Sequence, residues 1–320
     1  MAQPAITAHA IEKRFGGNLA VAGVNLEVAE REVYGFLGPN GAGKSTLTRV
    51  LCTLLAPTSG SATVAGYDVL AEPTAVRLRI GVALQEAALD DKQTGEEMLR
   101  LQGRFYGMDR RRTAARVAEL RELIDIGDAL GERVGTYSGG MKRRLDLALA
   151  LVHDPQVLFL DEPTTGLDPV SRASVWAEVR RLNRELGVTV FLTTQYLEEA
   201  DELAGRVGII NHGAIVAEGT PADLKRTIGT DLVVVDVDGD LDRARSTLGG
   251  VPGVLDVGVD GRSLVASVDD GAKAISPLAL ALAHDGVEVR ELALRRPTLD
   301  DVFFSVTGQR IAEEDGTVAR

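Results

Sequence analysis

The amino-acid sequence predicts an α/β domain with a helical insertion, followed by a small α+β domain. Over the first 225 residues, short apolar runs such as EVYGFLG and VLFLDEP alternate with segments of helical spacing. Such alternation is typical of a sheet with helices on its faces. Between Gln85 and Tyr137 the apolar runs give way to charged helical segments, and after Thr230 the order of elements changes again. These three observations define the predicted domains.

The first domain is predicted to span residues 1–228. Its opening part, residues 5–35, alternates as strands do and suggests a small antiparallel addition. The runs EVYGFLG, VLFLDEP, VTVFLTT and RVGIINHG are apolar throughout, as expected of strands buried on both faces. The intervening helices are predicted at LTRVLCTLL, MKRRLDLALALV and SRASVWAEVRRLNREL.

The helical insertion is predicted at about residues 86–137. The segments TGEEMLRLQGRFYGM and RRTAARVAELRELIDIGDAL have helical spacing and charged outer faces. Charge runs of this kind usually form a solvated surface.

The second domain, residues 229–308, reads β-α-β-β-α-β, the ferredoxin-like order. Its two middle strands are predicted to form a hairpin at Asp260-Gly261. A last helix, TLDDVFFSVTG, begins with Thr298 as its N-cap. Residues 309–320 are expected to be a disordered tail.

Charge and cysteine content exclude several classes of function. The formal net charge is −12, and residues 231–320 carry 17 acidic against 9 basic side chains. An acidic chain lacks the basic surface that nucleic acids require, so we expect no nucleic-acid partner. Cys52 is the only cysteine, which rules out an internal disulfide and a structural zinc site. We expect it to be a small buried residue.

The sequence also contains no predicted membrane segment. The N-terminus MAQPAITAHAIEKRF lacks the basic start and apolar core of a signal peptide. The longest apolar runs, such as LALALV, fall short of the roughly 18 residues that cross a bilayer. We therefore expect a cytoplasmic chain whose membrane role, if any, comes through a partner.

The segment GPNGAGKST fits the phosphate-binding pattern G-x-x-x-x-G-K-[ST] between a strand and a helix. Glycines allow successive backbone N–H groups to face an anion, and the helix dipole favours negative charge at the same place. Lys44 would reach the β- and γ-phosphates and Ser45 would bind Mg²⁺. The simpler alternative is a glycine-rich turn. The predicted nucleotide-binding residues are Gly38, Pro39, Asn40, Gly41, Ala42, Gly43, Lys44, Ser45 and Thr46.

The run VLFLDEP ends in two adjacent carboxylates. Asp161 suits the Mg²⁺ shell, and Glu162 suits a general base that orients or deprotonates the attacking water. Two solvated acids in a turn would be the alternative, but the preceding run is strongly apolar. Together with the glycine-rich loop, these acids indicate a protein that binds a nucleoside triphosphate with Mg²⁺.

The segment YSGGMKRR, at Tyr137–Arg144, resembles the signature sequence of ATP-binding cassette (ABC) ATPases. GVALQEA resembles the Q-loop of that family and GLDP resembles its D-loop, and all the motifs stand in the family order over about residues 5–225. The resemblance implies a P-loop NTPase fold and two copies of the chain closing head to tail around two ATP molecules.

The resemblance also assigns roles to single residues. Ser138, Gly139 and Gly140 would contact the γ-phosphate of ATP held by the other copy, and Asp168 would lie at the seam. Phe15 would stack on adenine, although an ordinary aromatic residue is the alternative. Gln85 would join Ser45 and Asp161 around Mg²⁺.

Two departures from the family pattern stand out. In the signature, Tyr137 and Met141 replace the usual Leu and Gln, which puts one glutamine contact in doubt. After VTVFLTT, Gln195 stands where most ABC ATPases have a γ-phosphate-sensing histidine. A glutamine amide can still donate to phosphate, but it does not titrate. We predict that Gln195, with Lys44 and Glu162, forms the catalytic group; a helix-start residue without nucleotide contact is the alternative. The four histidines match no catalytic position and are expected in solvent or at helix caps.

The segments TTQYLEEAD and RRPTLDDVFFSVTG resemble ATPase subunits of bacterial drug exporters of the daunorubicin/doxorubicin resistance type. The resemblance implies ATP-driven efflux of a small hydrophobic drug, by a chain bound to a separate permease at the cytoplasmic face of the membrane. A soluble nucleotide switch acting on ribosomes or DNA is a rival, as is the ATPase of an importer. One cassette, no heptad arm and an acidic charge disfavour the first rival; Gln195 and the C-terminal segment disfavour the second by resemblance alone.

Overall fold

The computed structural model describes residues 4–84, 88–123, 127–229, 231–238, 240–260 and 263–308. The chain divides into two compact units, one ending at Pro221 and the other beginning at Ala222. The sequence predicts this boundary at residue 228. The helix Pro221–Ile228 lies between the predicted boundary and the observed one. Among the described residues, every helix is too short or too polar to traverse a lipid bilayer.

Up to Ile228, the described residues form ten strands and eight α-helices, the last of which already belongs to the second unit. In chain order they are β1 (Ile6–Phe15), β2 (Asn18–Val28), β3 (Val33–Leu37), α1 (Lys44–Leu51), β4 (Ser59–Val64), β5 (Tyr67–Asp68), α2 (Pro73–Arg77), β6 (Ile80–Ala83), α3 (Gly95–Phe105), α4 (Arg110–Leu123), α5 (Gly139–Leu151), β7 (Val157–Asp161), α6 (Pro169–Leu186), β8 (Thr189–Thr194), α7 (Leu197–Leu203), β9 (Arg206–Asn211), β10 (Ala214–Gly219) and α8 (Pro221–Ile228).

Two sheets organise the first unit. The larger has the order β10-β9-β3-β8-β7-β6, in which β10 is antiparallel to β9 and the other neighbours are parallel. The smaller is antiparallel, with the order β2-β1-β4-β5. The predicted antiparallel addition is thus confirmed, and it also recruits β4 and β5 from beyond residue 35.

Strand β7 shows why its sequence is apolar at every position. Val157 and Phe159 pack into the core shared with the antiparallel sheet and α1. Leu158 and Leu160 face the opposite core, which α5, α6 and the insertion complete. Because successive side chains alternate between faces, a strand covered on both sides needs an unbroken apolar run.

The helical insertion contains α3 and α4, followed by 3₁₀ turns at Gly127–Gly131 and Val134–Thr136. Helix α3 starts at a capping box, in which the Thr94 hydroxyl accepts from the Glu97 N–H and the Glu97 carboxylate accepts from the Thr94 N–H. The end of the second predicted helical segment is a 3₁₀ turn at Gly127–Gly131, and not part of the α-helix Arg110–Leu123.

The second unit has an antiparallel sheet of order β12-β13-β11-β14. Its elements after α8 are β11 (Asp231–Asp238), α9 (Leu241–Gly249), β12 (Val254–Asp260), β13 (Ser263–Val268), α10 (Gly271–His284), β14 (Glu288–Arg295) and α11 (Leu299–Thr307). This order and connectivity are ferredoxin-like, as the sequence predicts. Thr298 caps α11 by accepting from the Asp301 N–H. The predicted turn at Gly261 and the predicted tail at residues 309–320 lie outside the described residues.

The expectation for the histidines is wrong at one position. His9, His212 and His284 are exposed. His153 is half-buried instead: its ring stacks on Tyr106 at 3.7 Å between centroids, and Nε2 lies 2.9 Å from the Ile80 carbonyl oxygen. The side chain therefore joins the insertion to the edge strand β6, a tertiary contact with no signal in the local sequence.

Candidate functional site

The site lies where the parallel strands of the large sheet end. Strand β8 runs between β3 and β7, with Leu37 paired to Thr194 and Asp161 paired to Thr193. Because parallel strands place their carboxyl ends at one edge, three separate sequence segments meet there. These are the glycine-rich loop after β3, the acids at the end of β7, and Gln195 after β8.

The glycine-rich loop is packed too closely for side chains at two of its positions. A Cβ at Gly43 would lie 2.4 Å from the Ala20 carbonyl oxygen, and Gly43 also has a φ of 109°. A Cβ at Gly38 would lie 2.5 Å from the Ile210 carbonyl oxygen. The loop therefore needs glycine for steric reasons, and it delivers the chain into α1 at Lys44.

Lys44 is buried within this loop and pairs with the carboxylate of Glu162. Its ammonium donates to the carbonyl oxygens of Gly38 at 2.7 Å and Pro39 at 3.2 Å, and lies 3.2 Å from Glu162 Oε1. Burial lowers the pKa of Lys44, and the negative charges of Glu162 and Asp161 oppose that shift. In this conformation the lysine and the acid neutralise each other.

Asp161 and Ser45 lie side by side. The Ser45 hydroxyl donates to Asp161 Oδ1 at 3.2 Å, and the Thr193 hydroxyl donates to the same oxygen at 2.5 Å. Thr193 thus fixes the carboxylate from the neighbouring strand. A serine hydroxyl beside a carboxylate is an oxygen donor set of the kind that Mg²⁺ prefers.

Glu162 reaches the same pocket as Asp161 because its backbone is unusual. Neighbouring side chains on a strand point to opposite faces, but Glu162 has a left-handed φ of 49° that turns it out of this alternation. Such a conformation costs a non-glycine residue of the order of 1–3 kcal/mol. The Glu162 N–H holds it in place by donating to the Thr193 carbonyl at 3.0 Å and hydroxyl at 3.1 Å.

Gln195 stands at the same edge, between Thr194 of β8 and the first turn of α7. Its side chain is 7% exposed. Gln195 directly follows β8, at the same edge of the sheet as the loop after β3 and the acids at the end of β7.

The other predicted residues lie elsewhere in the first unit. Ser138 is the N-cap of α5 and accepts from the Met141 N–H at 3.3 Å, with Gly139 and Gly140 in the first turn. Asp168 is the N-cap of α6 and accepts from the Ser171 hydroxyl at 2.6 Å. Among the described residues, no hydrogen bond joins Ser138 or Asp168 to Lys44, Asp161 or Glu162.

Phe15 ends β1 and is 50% exposed, with the Lys13 ammonium 5.2 Å from the ring centroid. Gln85 lies outside the described residues. Its neighbour Leu84 follows the end of β6 and so belongs to the same edge of the sheet.

Two buried charged groups at this edge received no role in the sequence analysis, although Arg143 lies within the segment YSGGMKRR. Glu199 is fully buried and accepts from the Thr164 hydroxyl at 2.8 Å and from Trp176 Nε1 at 2.9 Å. Burial raises the pKa of Glu199. Arg143 on α5 pairs with Asp146 at 2.9 Å. For Arg143 and Asp146 the sequence signal was a pair of charged residues at the start of the apolar helical run RRLDLALAL, and Glu199 has no comparable signal in its segment.

The comparisons with known proteins agree with this geometry. A family model described as ABC transporter matches residues 21–165, and one described as ATP-binding protein DrrA1-3-like, C-terminal domain, matches residues 219–307. The chain is 51% identical to the daunorubicin resistance ATP-binding protein DrrA3 of Streptomyces coeruleorubidus, over 96% of this chain and 97% of that protein.

The chain belongs to the ABC transporter family.

Other relatives place the chain within the ATP-binding proteins of that family. This ABC chain is 45% identical to the daunorubicin/doxorubicin resistance ATP-binding protein DrrA of Streptomyces peucetius, over 95% of this chain and 92% of that protein. A solved structure of the cassette MJ0796, a dimer in a post-hydrolysis state with ADP and Pi, matches with a TM-score of 0.61 and 25% identity. The match covers 67% of this chain and 98% of the MJ0796 chain. The resemblance, the fold class and the ATPase class predicted from sequence are confirmed.

Proposed function

We propose that this ABC ATPase powers export of a small hydrophobic drug through a separate membrane permease. The observation that carries the proposal is the range of the similarity to DrrA3, which covers the catalytic unit and the C-terminal unit alike. The named relatives are resistance proteins for daunorubicin and doxorubicin. The class of cargo is inferred from those relatives, whereas the roles in ATP binding and hydrolysis are inferred from the site.

ATP would bind with its phosphates in the loop Gly38–Thr46. Backbone N–H groups and the N-terminus of α1 favour the phosphate charge, and Lys44 would bind the β- and γ-phosphates. Phe15, half exposed at the end of β1, offers a flat face on which adenine would stack.

The donor set at Ser45 and Asp161 fits Mg²⁺, and Gln85 is the proposed third ligand. Magnesium supplies charge neutralisation on the phosphate oxygens. Thr193 keeps the Asp161 carboxylate oriented toward Ser45 from β8.

Glu162 would act as the general base. It is held by Lys44 in the described conformation, and phosphates that attract the lysine would release the carboxylate to accept a proton from water. Gln195 would donate an amide N–H to the γ-phosphate, as a neutral switch that does not titrate.

A second copy of the chain would complete each site. Ser138, Gly139 and Gly140 form a helix start whose backbone N–H groups suit the γ-phosphate held by the other copy. Asp168 would lie at the seam. The dimeric cassette among the structural relatives supports this arrangement.

The permease would dock beside Gln85, against the insertion. A cleft of about 400 Å³ opens there between α1, β6, α3 and α5. Its lining is mostly apolar. The cleft is lined by Cys52, Leu54, Arg77, Ile80, Val82, Leu84, Ala88, Gln102, Tyr106, Asp146, Leu149 and Ala150. This docking would hold the chain at the cytoplasmic face of the membrane. The C-terminal unit would steady the dimer or contact the permease.

Export can be tested with daunorubicin, which is fluorescent. We expect cells without this gene to accumulate more daunorubicin, and the parent chain to restore efflux. Glu162→Gln should fail to restore it, whereas Glu198→Gln, a change of the same kind at an exposed position, should succeed. The tagged chain should retain a multi-span membrane protein after detergent extraction. Equal accumulation with and without the chain, or salt-sensitive co-purification with RNA or DNA, would refute export.

A further inference from the structure

We propose that Arg143 is a positioning residue for hydrolysis, which fixes the turn that carries Glu162 against the signature helix α5. The proposal rests on the role of Glu162 given above, and it concerns a residue that no part of the phosphate chemistry requires. Its guanidinium contacts two other segments of the first unit and one acceptor on its own helix.

The first contact reaches the catalytic turn. Arg143 Nε donates at 2.9 Å to the carbonyl oxygen of Pro163, the residue directly after Glu162. Because Glu162 has a left-handed backbone, the position of its carboxylate depends on how this turn is held. The Thr193 contacts hold the N–H side of Glu162, and Arg143 holds the side that follows it.

The second contact reaches the end of β6. Arg143 Nη1 donates at 2.8 Å to the carbonyl oxygen of Leu84, next to the proposed magnesium ligand Gln85. One guanidinium therefore ties the segment before Gln85 to the segment after Glu162. Both lie at the carboxyl edge of neighbouring strands, since β6 pairs with β7.

The third contact anchors the arginine itself. Nη1 also donates to Asp146 Oδ2 at 2.9 Å, one turn along α5, and both side chains are nearly buried. Burial raises the pKa of Asp146 to about 6, and the positive charge of Arg143 opposes that shift. A buried ion pair usually stabilises a fold no more than an apolar pair of similar volume. Stability alone therefore does not explain why Arg143 and Asp146 are buried together.

The fork geometry of arginine supplies that reason. A planar guanidinium can donate to several acceptors in fixed directions, whereas a lysine ammonium on a flexible stem cannot hold the same three acceptors at once. A misplacement of about 1 Å in a catalytic group can cost about 10²-fold in rate. We therefore expect the geometry of Arg143 to affect turnover more than nucleotide binding.

The test uses the purified full-length chain with Mg·ATP. For Arg143→Lys we expect kcat to fall about tenfold or more, with KM and the affinity for a fluorescent ATP analogue within about threefold of the parent. The matched control is Arg116→Lys, because Arg116 Nη2 donates to the Leu151 carbonyl at 2.8 Å at the far end of α5. The control should keep kcat within about twofold.

A double variant separates positioning from stability. Arg143→Met with Asp146→Leu removes the whole pair and leaves no buried charge, so the thermal midpoint should stay near or above that of the parent. We expect its kcat to remain about tenfold or more below the parent. A double variant with parental kcat would overturn the proposal, as would an Arg143→Lys variant that is fully active or that loses binding and turnover in equal measure. If the double variant does not fold, the outcome for Arg143→Lys decides alone.

These kinetics are independent of any permease. Failure of the daunorubicin test would therefore refute export and leave the role of Arg143 intact. Parental kinetics of the Arg143 variants would refute that role and leave the export proposal intact.

Discussion

The two units of the chain treat charged side chains in opposite ways. In the first unit, the buried charged residues among those described are Lys44, Arg143, Asp146, Asp161, Glu162, Glu178 and Glu199. Lys44, Asp161 and Glu162 form a cluster at the carboxyl edge of the sheet. In the second unit, no charged side chain is buried within the described segments 222–229, 231–238, 240–259 and 263–308. Its ion pairs, such as Arg243–Asp285 and Arg290–Asp238, are exposed.

The difference follows from the cost of removing charge from water. A buried ion pair loses hydration that its mutual attraction rarely restores in full, so folding alone gives no reason to keep one. Exposed pairs cost little and contribute little. The first unit nevertheless buries charged groups beside the proposed phosphate site, such as Lys44 and Glu162. The second unit folds around an apolar core between its helices and one face of its sheet.

The largest effect is expected at the centre of the buried cluster. Glu162→Gln should lower kcat by about 10²–10⁴, because the amide cannot accept the proton from water. ATP binding should persist and the dimer should stay closed, which size-exclusion chromatography with Mg·ATP can measure. Full-speed hydrolysis by this variant would show that the burial of Glu162 serves structure rather than catalysis.

A smaller effect is expected at the neutral residue of the same edge. Gln195→Ala removes one hydrogen bond to a charged phosphate, which is worth about 1.5–3 kcal/mol, or roughly a factor of 10–150 in kcat. Single-turnover hydrolysis would measure it. The companion variant Gln195→His should introduce a dependence of the rate on pH near neutrality, since histidine titrates there. If Gln195→Ala hydrolysed ATP at the parental rate, the switch assignment would be wrong.

The smallest effect is expected in the second unit. The Arg243 guanidinium and the Thr247 hydroxyl lower the pKa of Asp285 to about 2, yet the pair is exposed to solvent and screened. Arg243→Gln should therefore leave the thermal midpoint and the ATPase rate nearly unchanged.

The contrasting variant is Leu248→Ala, in the core of the same unit, where truncation should cost about 2–5 kcal/mol of unfolding free energy. Differential scanning calorimetry would compare the two. A large loss in Arg243→Gln would contradict the comparison, because it would mean that an exposed pair of the second unit carries its stability.

Much of this protein follows from local sequence. Apolar runs predicted four strands of the large sheet, helical spacing predicted the main helices, and the order β-α-β-β-α-β predicted the second fold. The short strands β4, β5, β6 and β10 were not predicted individually. GPNGAGKST predicted a phosphate-binding loop, and VLFLDEP predicted the acids for Mg²⁺ and for the general base. Both predictions are local, because glycine spacing and an acid after an apolar strand are properties of contiguous residues.

The tertiary structure decided how those segments meet. Strand order places β8 between β3 and β7, so Gln195 lies at the same edge of the sheet as the acids, and no local pattern encodes that order. The left-handed backbone of Glu162, the stacking of His153 on Tyr106, and the three contacts of Arg143 are likewise absent from any short segment. The sequence by itself determined which residues are able to do the chemistry. Their distances depended on packing between residues far apart in the chain, because a hydrogen bond or a close contact is a property of two surfaces and not of one segment.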